Sequence, residues 1–457
     1  MNLYLAIEVS SRELDSKLLL AVLAASRGHE VILSSITEII FGLKKNKLSP
    51  GIFHTKSLTP SKKKIEYHQY IIDNGSIITS MDEEGGFLLK NQTEFIKKRF
   101  SQKSVDQVSA VFGWGRDVDL LKSEYFKSSH KFFKTGSPRI DLNKSILNSY
   151  WPKPKKIPKR PYLLLSSNFN CTYNRPFYEV INKFKVSGFY ERYPDLFRNQ
   201  FEQYSEEFLM LYAFIEAIKN IAEKSDGFDI VVRPHPREPI EAWKIFLEDV
   251  PNIHIIKDDA IMPWIKNAFA LMHNGCSTAV EAAVAGIPVI SYVPFEQKYF
   301  QKEFSNKIGY KVKNGDELLK LTNLIFKDSQ KNELVESSVN KSYEILSERI
   351  FIDKEKLSAE KIIDVWESLN TKEISNSNNL VNFKLSLKIT NLKKFLKKNL
   401  QFMFPEKHNH IFLDNKFPPL NENEVKIKVK RLQNTLGIKT DLVCKVFSDR
   451  TILIKPR

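Results

Sequence analysis

Cysteine is scarce in this sequence, with three residues (Cys171, Cys276 and Cys444) in 457. Thiols this far apart form neither a disulfide framework nor a metal-ligand cluster, and they suit a reducing cytosol. Long apolar runs are lacking too. The longest, residues 18–25, has eight residues, against the roughly 20 that cross a bilayer. It does not suit an export signal either, because Glu8, Arg12, Glu13 and Asp15 precede it after a strand-like segment. No convincing internal repeat is present. What remains is 42% hydrophobic and 27% charged, the composition of a soluble globular protein, and its length suggests two or three domains.

Charge of one sign is concentrated rather than spread. The net charge is +16, and residues 371–457 alone carry 18 Lys and Arg against 7 Asp and Glu. The first 370 residues hold 52 against 47, so the body is nearly neutral and does not read as a nucleic-acid binder.

The body alternates strand and helix signals. Residues 3–9 form an apolar run of strand length, 10–25 repeat Leu18, Leu19, Val22 and Leu23 at helical spacing, Gly28 can close that helix, and 30–34 read as a second strand. This β-α-β opening implies a parallel sheet. Further strands are predicted at 77–78 and 111–113. Four prolines and five basic residues in 150–161 read as a stiff linker. A second α/β region follows, with strands at 162–166, 229–233, 253–256, 270–272 and 288–292 and helices at 208–222 and 278–285. The predicted architecture is α/β and GT-B-like: two Rossmann-type parallel-sheet domains, 1–150 and 151–370, facing a cleft, plus a basic extension over 371–457. A cleft between domains is a common ligand site.

In the extension, Leu392, Phe395, Leu396, Leu400 and Met403 share one helical face, with Lys393, Lys394, Lys397 and Lys398 toward the other. Two readings compete for 383–404: a foot on an anionic membrane surface, or a packing helix with solvated lysines. Residues 426–436 read as helix, and 442–447 with 451–454 as a hairpin.

Three constellations carry chemistry. Asp82-Glu83-Glu84-Gly85-Gly86 follows a strand, and adjacent carboxylates raise one another's pKa, which suits a proton acceptor. A solvated acidic turn is the blander reading. Arg233-Pro234-His235-Pro236-Arg237 ends another strand, where two prolines hold an imidazole between cations, as a phosphate site needs. His273-Asn274-Gly275-Cys276-Ser277-Thr278 turns from strand to helix, offering amides and two hydroxyls to an anion, with Glu281 one turn further on for a ribose. Asp117-Val118-Asp119 has the metal-binding Asp-x-Asp form but reads better as a helix start. His408 and His410 alone make no metal site, so no metal is expected.

Taken in order, the acidic pair with glycine, the His-Pro and the Ser-Thr pair resemble the motif set of bacterial CMP-sugar glycosyltransferases of GT-B architecture, the sialyltransferases and capsule Kdo transferases. Residues 1–370 are more similar to bacterial surface carbohydrate biosynthesis proteins. That similarity rests on Glu8-Val9, Arg12-Glu13-Leu14-Asp15-Ser16-Lys17-Leu18-Leu19, Lys56-Ser57-Leu58-Thr59-Pro60-Ser61-Lys62, Asp82-Glu83-Glu84-Gly85, Trp114-Gly115, Thr135-Gly136-Ser137-Pro138-Arg139-Ile140-Asp141 and His273 to Thr278. The resemblance implies Glu84 as general base, with Glu83 or Asp82 as alternatives because this chain has three acids in a row. It implies His235, Ser277 and Thr278 on the nucleotide phosphate, with Arg233, Pro236, Asn274, Gly275, Cys276 and Glu281 around it. Arg12, Asp82, Gly85, Ser167 and Asn168 are further substrate-binding candidates.

The expected function is transfer of a nonulosonic-type sugar from a CMP donor to a glycan or lipid-linked acceptor in capsule or lipopolysaccharide synthesis. The donor is a substrate, no cofactor is needed, and the setting is the cytoplasm, at the inner membrane face if the basic helix is a foot. Competing readings are a CDP-glycerol-type phosphotransferase, a sugar-nucleotide epimerase and a non-catalytic membrane-associated scaffold.

Overall fold

Strands of a parallel sheet are buried on both faces and so read as apolar runs, and the first strand, Asn2–Ala6, is buried along its whole length. The computed structural model describes residues 1–83, 92–169, 189–192, 194–235, 238–257, 260–296, 298, 303–328, 333–369, 378–401 and 417–457. The chain divides into two units. One comprises Met1–Gly86, Asn91–Tyr150 and Arg349–Arg457, and the other Phe87–Lys90 and Trp151–Glu348.

In the first unit, β1 (Asn2–Ala6), β2 (Glu30–Ser34), β3 (Ile52–Thr55), β4 (Ile77–Met81), β5 (Ala110–Gly113) and β6 (Phe132–Lys134) pair in parallel in the order β2-β1-β3-β4-β5-β6. In the second, β7 (Tyr162–Ser166), β8 (Asp229–Arg233), β9 (Ile253–Ile255), β10 (Ala270–His273), β11 (Val289–Tyr292) and β12 (Tyr310–Val312) are all parallel, in the order β9-β8-β7-β10-β11-β12. Each is a Rossmann-like sheet whose strand order reverses at one point, between β1 and β3 and between β7 and β10. Ligands of open α/β sheets bind beyond the strand C-termini at that reversal.

The boundary lies earlier than the expected 370, and the basic extension belongs to the first unit. From Arg349 the chain rejoins the first unit. Phe351 N–H donates to Trp114 O at 2.6 Å and Arg116 N–H to Arg349 O at 3.1 Å. Two glycines make this approach feasible. A Cβ on Gly115 would lie 2.3 Å from Arg349 O, and one on Gly136, where φ is +76°, would lie 2.5 Å from Phe351 O. The helix Ser358–Ser368 then docks on the buried carboxylate of Asp141, which accepts from Ser358 Oγ and Ala359 N–H, both at 3.0 Å. Trp366 Nε1 donates to Thr79 Oγ1.

The rest of the extension belongs to the same unit. The helix Leu380–Gln401 buries Phe383 and Leu387 in the first unit's core. The helix Glu422–Thr435 precedes β13 (Leu442–Ser448) and β14 (Thr451–Pro456). β14 pairs antiparallel with β2 and covers that edge of the sheet. Glu38, buried, accepts from Ser34, Ser448 and Thr451 hydroxyls and pins the junction. Among the described residues no helix is long and apolar enough to cross a membrane.

Candidate functional site

In the second unit, the residues singled out from sequence that the structure describes gather at the C-terminal ends of β7, β8 and β10, the point where the strand order reverses. Ser167 and Asn168 leave β7, His235 follows β8, and Asn274 to Thr278 turn from β10 into the helix Thr278–Val284. Asn274 Nδ2 donates to Asn168 O at 3.5 Å, and Ser166 Oγ approaches Cys276 Sγ at 3.7 Å, so the loops after β7 and β10 touch. Gly275 has φ of +84°, which admits glycine without strain.

The geometry qualifies the expected anion site. The ring of His273 is fully buried, and its Nδ1 accepts N–H from Gly275 at 2.9 Å and from Cys276 at 3.3 Å. A nitrogen accepting two bonds carries no proton, so the proton sits on Nε2 and is donated to Ser291 Oγ at 2.7 Å. The Cys276 amide is therefore spent inside the loop. Ser277 precedes the helix with no capping bond from its hydroxyl, and the Thr278 hydroxyl is buried with no partner among the described residues. Asn274 Oδ1 is likewise buried without one. Buried polar atoms nearly always have partners, so these oxygens suit a polar ligand. Glu281 is buried in the same helix.

Sequence reasoning gave Glu238 no role, yet this carboxylate ties the β7 and β8 loops together. It is fully buried and accepts from Ser167 Oγ at 2.8 Å, Phe169 N–H at 2.7 Å and Trp243 Nε1 at 2.7 Å. Burial pushes its pKa up and those donors pull it back. The Ser167 oxygen in turn accepts His235 N–H at 3.3 Å, while Glu238 N–H donates to His235 O at 2.8 Å. The backbone of His235 is thus held from both sides. Its visible signal was an acid closing a proline-rich turn just before the apolar helix Ile240–Leu247. Arg233 differs from expectation in setting: its guanidinium is buried over the Trp264 ring, 5.2 Å from the centroid. Pro236 lies outside the described residues.

In the first unit, an ion-pair cluster sits at the corresponding reversal. Glu13, buried, accepts N–H from Glu8 at 2.9 Å and Val9 at 3.2 Å, and Lys56 Nζ bridges Glu8 and Glu13 at 3.0 and 3.4 Å. Burial raises the Glu13 pKa, with Lys56 opposing. Lys17, fully buried, pairs with Glu83 at 2.7 Å. Asp82 faces Arg99 at 3.6 Å, and its carbonyl accepts from Trp114 Nε1. Arg12 is exposed nearby on the helix Ser10–Ser26. Glu84 and Gly85 lie outside the described residues. The Asp117 carboxylate accepts N–H from Trp114 and Gly115, as a helix-start residue does, and the neighbouring Asp119 is exposed. Among the described residues no group of three His, Cys, Asp or Glu side chains converges to hold a metal ion.

No protein-family model matches the chain. No curated protein matches it either. Solved structures do. A Listeria monocytogenes protein assigned as a UDP-N-acetylglucosamine 2-epimerase is 14% identical, covers 83% of this chain and 98% of its own, and has a TM-score of 0.50. A UDP-GlcNAc 2-epimerase from Neisseria meningitidis, bound to UDP-GlcNAc, is 11% identical over 80% of this chain and 100% of its own, with a TM-score of 0.46. A glycosyltransferase from Rickettsia africae is 12% identical over 82% and 99%, with a TM-score of 0.45. At 14% identity the likeness to the Listeria protein is one of fold alone, and the fold is GT-B-like, with two Rossmann-like parallel-sheet domains.

Proposed function

We propose that the protein is a sugar-nucleotide-dependent glycosyltransferase of surface polysaccharide synthesis, with a CMP-linked nonulosonic-type sugar as donor and a glycan or lipid-linked glycan as acceptor. What supports the reading is that, at the strand ends near the second sheet's reversal, the His235 backbone is anchored twice, Ser277 makes no capping bond, and the buried oxygens of Thr278 and Asn274 have no partner among the described residues.

The chemistry follows from charge. Loss of CMP leaves negative charge on a phosphate, and His235 with the two hydroxyls donates to it as it grows; removing one such donor costs roughly 10²–10³ in rate. The reaction also needs a proton acceptor. Asp82 and Glu83 already face cations, which favours Glu84 as the base that takes the acceptor hydroxyl proton. The phosphate chemistry needs no metal in this reading. An epimerase acting on a UDP-sugar is the second reading, favoured by the buried Glu13 with its raised pKa beside Lys56, a pairing suited to moving a proton.

Calorimetric titration with CMP, UMP, CDP and UDP tests the assignment. CMP binding that weakens in Ser277→Ala and Thr278→Val supports it. UDP binding without CMP binding transfers the case to the epimerase, and no nucleotide binding at all leaves a scaffold. CMP-sugar turnover that survives Glu84→Gln would remove the base.

A further inference from the structure

The helix Leu380–Gln401 has two apolar sides, and the first unit uses one of them. Phe383 and Leu387 are buried in the core, and Phe383 closes on Gly42, where a Cβ would meet its ring at 2.7 Å. Val381, Leu385 and Ile389 recur every four residues on another face and stand 80%, 54% and 47% exposed. Spacing of four on a helix stacks side chains into a stripe. In the sequence alone, Leu392, Leu396 and Leu400 keep the same spacing. An exposed apolar stripe on a soluble fold marks an interaction surface.

Charge says what covers it. The helix holds six lysines, at 384, 388, 393, 394, 397 and 398, and no Asp or Glu. A protein partner of ordinary composition meets no matching acid here, whereas an anionic bilayer offers both an apolar interior and a negative surface. We infer that this helix lies in the headgroup layer of an anionic membrane, inserted along Val381, Leu385 and Ile389, while Phe383 and Leu387 hold it to the first unit.

The test is co-sedimentation of the full-length protein with vesicles of phosphatidylglycerol and phosphatidylcholine, or of phosphatidylcholine alone. The expected result is partition into the anionic vesicles, reversed by high salt. Replacing Lys393, Lys394, Lys397 and Lys398 with Gln should weaken it by about 10³-fold, since each basic residue near such a surface contributes about 1 kcal/mol. Val381→Ser, Leu385→Ser and Ile389→Ser together should abolish it and leave the thermal transition unchanged, because all three are exposed. Equal binding to neutral vesicles overturns the inference. So does a dimer in solution that the three serines dissolve, which would make the stripe a contact between copies of this chain.

Discussion

Glu238→Gln is the sharpest probe of how the second unit positions His235. The carboxylate has three donors aimed at it, and an amide of the same shape has one acceptor oxygen and a donor of its own. With the nitrogen on the Phe169 side, the Phe169 N–H is orphaned; turned round, Trp243 Nε1 loses its acceptor and the Ser167 hydroxyl must rotate. A buried orphan costs about 1–3 kcal/mol, so the better orientation destabilises the loops by about 2 kcal/mol. If the lost order falls on the His235 loop, nucleotide affinity drops by up to ~30-fold. Denaturant unfolding and calorimetric titration with CMP measure the two effects. Ser167→Ala closes a double-mutant cycle: Ser167 donates to Glu238 and accepts from His235, so the two changes should couple by about 1 kcal/mol or more. Parental affinity in Glu238→Gln with strictly additive changes in the cycle would refute the relay.

Two further outcomes follow from burial. His68 is buried with neither ring nitrogen partnered among the described residues, and burial, with Lys64 nearby, lowers its pKa from 6.5 to about 4. The unfolded chain therefore takes up the proton first. The stability His68 leaves intact is full above about pH 6.5 and is lost as pH falls toward 4, by about 3 kcal/mol in all. In His68→Leu the acid slope of the melting temperature should flatten over that window, and an unchanged slope would exclude His68 as its source. Gly136→Ala should cost about 3 kcal/mol or more, from the positive φ and the clash with Phe351 O, and expose 349–369 to protease. Gly28→Ala, at φ of +94° with nothing within 4 Å, should cost only about 1–2 kcal/mol. Equal melting of these two variants would dismiss the docking account.

Much of the fold was legible because its strands announce themselves. The runs 30–34, 162–166 and 229–233 are the observed β2, β7 and β8. Three strands escaped. Ile52–Thr55, Phe132–Lys134 and Tyr310–Val312 are three or four residues long and carry His54, Lys134 or Lys311, so no local pattern separates them from loops. The hairpin near the C-terminus was visible, but its pairing with β2 was not, because pairing across four hundred residues leaves no periodic trace. Within the site, the loops with glycine, proline and paired hydroxyls stood out by residue type. Glu238 did not, nor did the way His273 holds its own loop, since both act through backbone amides whose positions only the folded chain reveals. The motif 135–141, noted in the sequence only as part of the resemblance, has a structural role: Gly136 and Asp141 receive the chain that comes back at 349–359.

That returning chain bears on how the protein is made. Until the ribosome has released nearly the whole polypeptide, the carboxylate of Asp141 has no helix to cap and the outer border of β2 has no neighbour. At about 5–20 residues per second the wait lasts on the order of ten seconds or more. A nascent chain in that interval exposes an unpaired strand, the usual template for misassembly, and any message truncated before Arg349 leaves it so permanently.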